Sequence, residues 1–254
     1  MTWKDLNVFQ WQQLNDLFLK SKDATDLDLA ISAASICTGL TEHEIDSLPV
    51  SDLQPLLKAI SFIHEELKPQ PERFIKLKGK RYKCIYDVRK IPAARYIETK
   101  HFGKDVNANL HRIAACMVMP MKKTLFGWKV IKYDASKHEQ YSQDILEAPI
   151  TQVLGSVVFF LSSLQKLDKE FEGLFNSGDD GEQADEVSSR GGTSIFMQYY
   201  GWIYQTELVA AFERITLEEA YELPTLQFLN NLAYLKSKSE YEAEQLKQAY
   251  AKKH

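Results

Sequence analysis

Apolar residues recur at helical spacing along most of this 254-residue chain, and one stretch breaks that rhythm. Arg73 to Val88 (RFIKLKGKRYKCIYDV) alternates instead, with Ile75 and Leu77 before Gly79 and Tyr82, Cys84 and Tyr86 after it. A period of 3.6 residues buries one stripe of a helix, whereas a period of two buries one face of a strand. The switch predicts a β-hairpin near 73–88 in an otherwise helical chain: mainly α with a small β element, of the α+β class. With 44% hydrophobic and 26% charged residues, the chain has enough apolar content for a core, which excludes global disorder.

The spacing of Leu6, Phe9, Leu14, Leu17 and Phe18, then of Leu29, Ala33 and Ile36, predicts helices with one buried face. Gly39 reads as a helix C-cap. Thr41 with Glu44 forms a capping box for a short third helix ending before Pro49, and Ser51 with Gln54 repeats the logic for a fourth. Beyond the hairpin, Pro92 opens a helix, and Asn109 to Met119 predicts a buried helix stopped by Pro120. Lys122 to Tyr133 reads equally as a second hairpin or a loop. Ser136 to Glu147 predicts a polar helix, and Pro149 starts a long one reaching about Phe175. Asn176 to Ser194 is rich in Gly, Ser and acids, the composition of a flexible acidic linker. Three parts follow: a helical body over 1–175, the linker over 176–194, and a small helical segment over 195–254. That last segment is too small for a strong core of its own, and its charged end is expected to protrude or fray.

Residues 40–60 (LTEHEIDSLPVSDLQPLLKAI) are echoed 175 positions later by residues 215–235 (ITLEEAYELPTLQFLNNLAYL). Thr41 and Thr216 each have a Glu three residues on and a Leu-Pro pair beyond it, and Leu53, Leu57 and Ile60 fall opposite Phe228, Leu232 and Leu235. A shared αα-hairpin recipe explains this as well as common ancestry does.

Catalytic chemistry has no visible carrier. No CxxC or HExxH occurs, and no two of the six histidines are spaced to share a helical face, so no metal or other cofactor is expected. GxGxxG, GxxxxGK[ST] and GxSxG are absent, and Ser163 with Lys166 lies inside an apolar helix. Adjacent acids such as Glu65–Glu66 and Glu218–Glu219 diverge on a helix. Cys37, Cys84 and Cys116 are odd in number and far apart, which points to a reducing, cytoplasmic compartment. The N-terminus lacks the apolar run of a signal peptide, and Ile150 to Leu167 carries too many polar residues to be expected in a membrane.

The net charge of −4 excludes a polycation, but charge is unevenly placed. Lys68 to Lys104 holds twelve Lys and Arg against three acids, and Asp168 to Glu186 holds eight acids against Lys169. The basic hairpin reads first as a solvated face, then as a site for an anionic protein, and only last as one for nucleic acid.

Residues 32–63 (SAASICTGLTEHEIDSLPVSDLQPLLKAISFI) run helix, Gly, Thr-capped short helix, Leu-Pro, helix. This stretch resembles the tail assembly chaperones of tailed bacteriophages. Residues 76–91 and 95–118 are similar to uncharacterised proteins of phages of gut bacteria. The resemblance covers about half the chain and implies a cytoplasmic, non-enzymatic role in tail morphogenesis, with the tape-measure protein and tail-tube protein as partners. In that family a longer product often carries a C-terminal extension made by frameshifting, and 195–254 after its linker looks like one. The basic hairpin departs from the helical motif, and no individual residue role transfers.

The sequence also places six aromatics just after the linker: Phe196, Tyr199, Tyr200, Trp202, Tyr204 and Phe212. Too many to face one small core, they are the expected partner-binding residues, with docking on 1–175 as the competing reading. The chaperone reading comes first. A structural virion component, self-associating as a homo-oligomer, stands second, and a nucleic-acid-binding regulator using Lys76, Lys78, Lys80 and Arg81 stands third.

Overall fold

The computed structural model describes residues 1–21, 24–175 and 192–251. Helices α1 (Val8–Lys20), α2 (Asp26–Thr38), α3 (Glu42–Asp46) and α4 (Val50–Ile60) precede strands β1 (Phe74–Leu77) and β2 (Lys80–Cys84). Helices α5 (Ala93–Phe102) and α6 (Val106–Cys116) lead to strands β3 (Val118–Thr124) and β4 (Gly127–Val130). Helices α7 (His138–Leu146), α8 (Ile150–Glu170), α9 (Glu172–Phe175), α10 (Gly192–Glu213), α11 (Leu217–Glu222) and α12 (Thr225–Ala251) complete the chain. Among the described residues the protein is thus mainly helical, with one small antiparallel sheet in the order β1-β2-β3-β4.

The expected hairpin is half of that sheet, and the undecided 122–133 region supplies much of the other half. Asn109 to Met119 is not one helix: α6 ends at Cys116, and the chain continues extended through Pro120, which pairs with Tyr82. The fourth helix starts at Val50 directly after Pro49, with no side-chain cap, so Ser51 and Gln54 do not form the expected box. The polar helix near 136–147 is a short 3-10 turn, Ala135–Lys137, followed by α7. The long helix after Pro149 stops at Glu170, and α9 follows as a separate turn.

Two compact units emerge, Met1–Tyr86 with Glu98–Leu161, and Asp87–Ile97 with Ser162–His254. The division runs within α5 and α8, whereas the sequence placed its boundary at 176–194; residues 176–191 of that segment lie outside the described ones. In the first unit, Leu6, Val8 and Leu14 are buried together with Ile31, Ala33, Ile45, Ile113 and Ile145. Asn7 bridges Pro149 there, the Val8 amide donating to Ala148 and the Ile150 amide to Leu6. The sheet turns Ile75, Tyr82, Cys84 and Val118 into this core. The backbone at Gln70 crosses α8 at Gly155, so closely that a Cβ there would lie 2.4 Å from the Gln70 carbonyl oxygen.

In the second unit the same kind of bridge joins Pro92 to Pro224, with the Ala93 amide donating to Leu223 and the Thr225 amide to Ile91. Tyr96 is fully buried, its hydroxyl donates to Asp168 at 2.6 Å, and Trp202 packs edge-on against its ring. By length and composition α8 could cross a membrane, but Ile150, Val153, Val157, Phe160, Leu164 and Leu167 form a stripe buried within the fold.

The 175-residue echo is structural. Thr41–Glu44 and Thr216–Glu219 each close a complete capping box, each box heads a short helix, and a Pro precedes each following helix. The correspondence also reaches beyond the aligned segments. The residues closing α2 and α10, Gly39 and Arg214, stand 175 positions apart and both adopt left-handed backbone, at φ 77° and 59°. The triplets α2–α3–α4 and α10–α11–α12 are therefore two versions of one module.

Candidate binding surface

Helix α10 carries the six aromatics predicted to bind a partner. Its buried positions, Thr206, Val209 and Ala210, fall at i, i+3 and i+4 and so make one stripe. Trp202, one turn earlier, is half-buried against Tyr96 and belongs with the packed face. The others do not. Phe196, Tyr199, Tyr200, Tyr204 and Phe212 are all exposed, Tyr199 most of all at 73%, as are Ile195, Met197, Ile203 and Leu208.

Rings pair along this surface. Phe196 lies 5.5 Å from Tyr200 and 6.2 Å from Tyr204, and Phe212 lies 5.3 Å from Tyr234 of α12. Such pairs hold large apolar groups in place in advance of a partner, limiting the entropy lost on binding. Taking about 200 Å² for a fully exposed large side chain, the nine exposed residues present roughly 900 Å². At 100° per residue these positions are spread around the helix, with Ile195 and Tyr199 on the side of Thr206 and Ala210, so only part of that area belongs to any one face. Beside it, a groove of about 700 Å³ between α10 and α12 has an apolar floor that includes Met197, Leu208, Leu232 and Leu235.

Two further features were missed by the sequence reading. Leu125 and Phe126 form the turn between β3 and β4 and are 99% and 101% exposed, with Lys122, Lys123 and Lys129 beside them. Once 122–133 is read as a hairpin, an apolar pair next to Gly127 in a lysine-rich turn is visible as a protruding tip. The basic sheet itself is partly neutralised: Lys80 pairs with Asp144 at 2.6 Å, and Arg81 lies 3.9 Å over the Phe74 ring.

The second feature is a convergence of Glu98, Cys116 and His138, whose ligand atoms lie within 4.8 Å of one another. They come from α5, the last residue of α6 and the first of α7, so no spacing along one element announces them. The Cys116 thiol faces a Glu98 oxygen at 3.7 Å, His138 Nδ1 lies 3.8 Å from the same oxygen, and the Tyr133 hydroxyl meets Nδ1 at 2.6 Å. One N, one S and one O donor could hold a zinc-like ion. As a nucleophile Cys116 is poorly placed, being fully buried and out of reach of solvent. Cys37 and Cys84 are no more reactive, since burial pushes both thiols up to about 11. Nearby, burial and the Arg112 charge hold the His111 imidazole below its usual range.

Compared with models of known protein families, with curated proteins and with solved structures, the chain matches none.

Proposed function

We propose that this chain is a non-enzymatic protein-binding protein of the tail assembly chaperone type, which holds a partner on the exposed face of α10. The observation carrying the reading is the exposed apolar surface of α10: five aromatics and four aliphatic or thioether side chains left in solvent on one helix. A helix apolar on all sides is normally enclosed, so one left open fits a helix waiting for a partner. Under this reading the client is the tape-measure protein, a long helical chain that would aggregate unless covered, and the tail-tube protein is recruited to the pair.

The test is co-expression of the full chain with the longest coiled-coil protein encoded beside it, scoring client solubility and co-purification. Tyr199→Ser combined with Tyr204→Ser removes exposed rings without touching the core. Loss of client recovery with these changes supports the reading, and unchanged recovery defeats it. The exposed Leu125–Phe126 tip favours a second reading, a virion component docking by that tip, for which mass spectrometry of purified particles is the test.

A further inference from the structure

The chain contains one completed example of the module that α10–α11–α12 leaves open. In the first unit α1 packs on α2, with the Gln10 side-chain amide donating to the carbonyls of Ile36 and Cys37. A short connection makes the two helices antiparallel, so Leu14, one turn after Gln10, comes level with Ala33, and Phe18 comes level with Leu29. Leu14 and Ala33 are both buried, and Phe18 and Leu29 line the same groove between α2 and α4, of about 270 Å³. Seven of the nine residues lining that groove, among them Leu29, Leu57 and Ile60, have counterparts 175 positions on that line the larger groove, Tyr204, Leu232 and Leu235.

The positions buried on α2 but exposed on α10 lie on the face that α1 covers. Ala33 and Cys37 are 0% and 4% exposed, while their counterparts Leu208 and Phe212 are 38% and 44% exposed. Equivalents on the packed faces agree: Ile31 and Thr206 are both buried, as are Ala34 and Val209. Among the described residues, nothing covers α10 where α1 covers α2.

We infer that α10–α11–α12 is a receptor for one amphipathic helix of a client protein, seated on α10 in the place that α1 takes on α2. This rests on the client-binding reading above and names the chemistry of what is bound. Where α2 offers small residues to a large one, α10 offers Leu208 and Phe212, so the incoming helix is small where it crosses them and apolar on either side. The groove rim carries both charge signs, Lys236 and Lys238 followed by Glu240 and Glu242, matching the mixed flanks of a coiled-coil-type helix. The chain's own 176–191 stretch has only Ala184 and Val187 as aliphatic side chains and supplies no such stripe. A second copy of α10 would bring large residues onto large.

The test uses the full chain and a labelled peptide of residues 6–21 in which Leu14 is replaced by alanine, with anisotropy and circular dichroism as readouts. Saturable one-to-one binding with gain of helix is expected, and a composition-matched scrambled peptide is expected to bind at least tenfold more weakly. Leu208→Asp with Phe212→Asp weakens binding at least tenfold, whereas Leu27→Asp, at an exposed site on α2, leaves it unchanged. The unsubstituted peptide, bringing Leu14 against Leu208, binds at least threefold more weakly. Equal binding of the scrambled peptide, indifference to the Leu208 and Phe212 changes, or tighter binding of the unsubstituted peptide overturns the inference. So does a wild-type dimer that Leu208→Asp dissociates, since a second copy then occupies the face. If the peptide fails but the coiled-coil client is still captured through Tyr199 and Tyr204, this inference falls and the client-binding reading stands. The reverse pattern retains the helix receptor and removes the assigned client.

Discussion

Replacing Gly155 by alanine sets two effects of opposite sign against each other. Alanine in a helix interior is favoured over glycine by about 0.5–1 kcal/mol, so propensity alone predicts a gain. Space predicts a loss. A Cβ at Gly155 would meet the Gln70 backbone at 2.4 Å from its oxygen, 2.5 Å from its carbon and 2.7 Å from its nitrogen. Relaxed carbon–oxygen contacts begin near ~3.3 Å, so that backbone would have to retreat by about 1 Å. It is not free to do so. The Glu72 amide donates to Ser156 at 2.9 Å and the Lys76 amide to Gln152 at 2.9 Å, tying the segment that follows Gln70 to α8. Overpacking of this kind costs about 1–3 kcal/mol, and a weakened hydrogen bond adds about 1 kcal/mol. The net loss is about 1–3 kcal/mol, or roughly 3–10 °C in thermal midpoint at this chain length. The control is Gly201→Ala in α10, where the nearest atom to the new Cβ is the Met197 methyl at 3.8 Å, an ordinary contact. It should raise the midpoint by the propensity term alone. Far-ultraviolet circular dichroism melts of the two variants therefore shift in opposite directions, and a Gly155→Ala midpoint equal to or above wild type would refute the crossing.

Further outcomes follow from the caps, the left-handed residue and the buried tyrosine. Thr216→Ala removes the acceptor for the Glu219 amide and should cost about 1 kcal/mol in a denaturant melt. Hydrogen bonds from the Thr216 backbone and hydroxyl hold the Glu219 carboxyl below its usual range. A depressed folded value means the contribution is present above the unfolded glutamate range and is lost as pH falls through the folded value. The stability gap between wild type and Glu219→Gln should therefore close on acidification below 4.5, the ordinary value, and a gap that widens would contradict the box. Arg214→Gly relieves a left-handed backbone at φ 59° and should gain about 1 kcal/mol, while Gly39→Ala, at φ 77°, should lose about as much. Tyr96→Phe deletes the donor to Asp168 beside Trp202 and should cost about 1–3 kcal/mol, with a change in Trp fluorescence in the folded state.

What could be read from the sequence was what local chemistry decides. Gly39, Thr41 with Glu44, and Thr216 with Glu219 sit where capping rules put them, because a cap involves residues within one turn. The β1–β2 pair was legible because alternation is also local. Pro120 misled because a proline ending a helix and one inside a strand look alike until the strand's neighbours are known; here Tyr82 is that neighbour. Glu98, Cys116 and His138 could not be seen, since three elements bring them together. The α10 aromatics were legible as a candidate surface because six of them exceed what one small core takes, but which side of the helix packs was not legible, and only the fold shows Thr206, Val209 and Ala210 inside with Tyr204 and Phe212 outside.

Under the proposed helix-receptor reading, two versions of one module in a chain raise the question of how many helices it can hold. On α2 the relevant face is closed: α1 covers it, Ala33 and Cys37 are buried, and the Gln10 amide binds the carbonyls of Ile36 and Cys37. To open it, α1 would have to leave Leu14 and Val8 exposed, costing about 1.5–3 kcal/mol for each side chain before any client is bound. On α10 no such cost stands in the way. Binding through the module is therefore limited to one helix per chain, and isothermal titration of the full chain with the Leu14→Ala peptide should give a stoichiometry of one. A value of two would mean that α1 is displaced as readily as an empty face is filled, contrary to the burial of its anchors, and the two modules would have to be treated as equivalent.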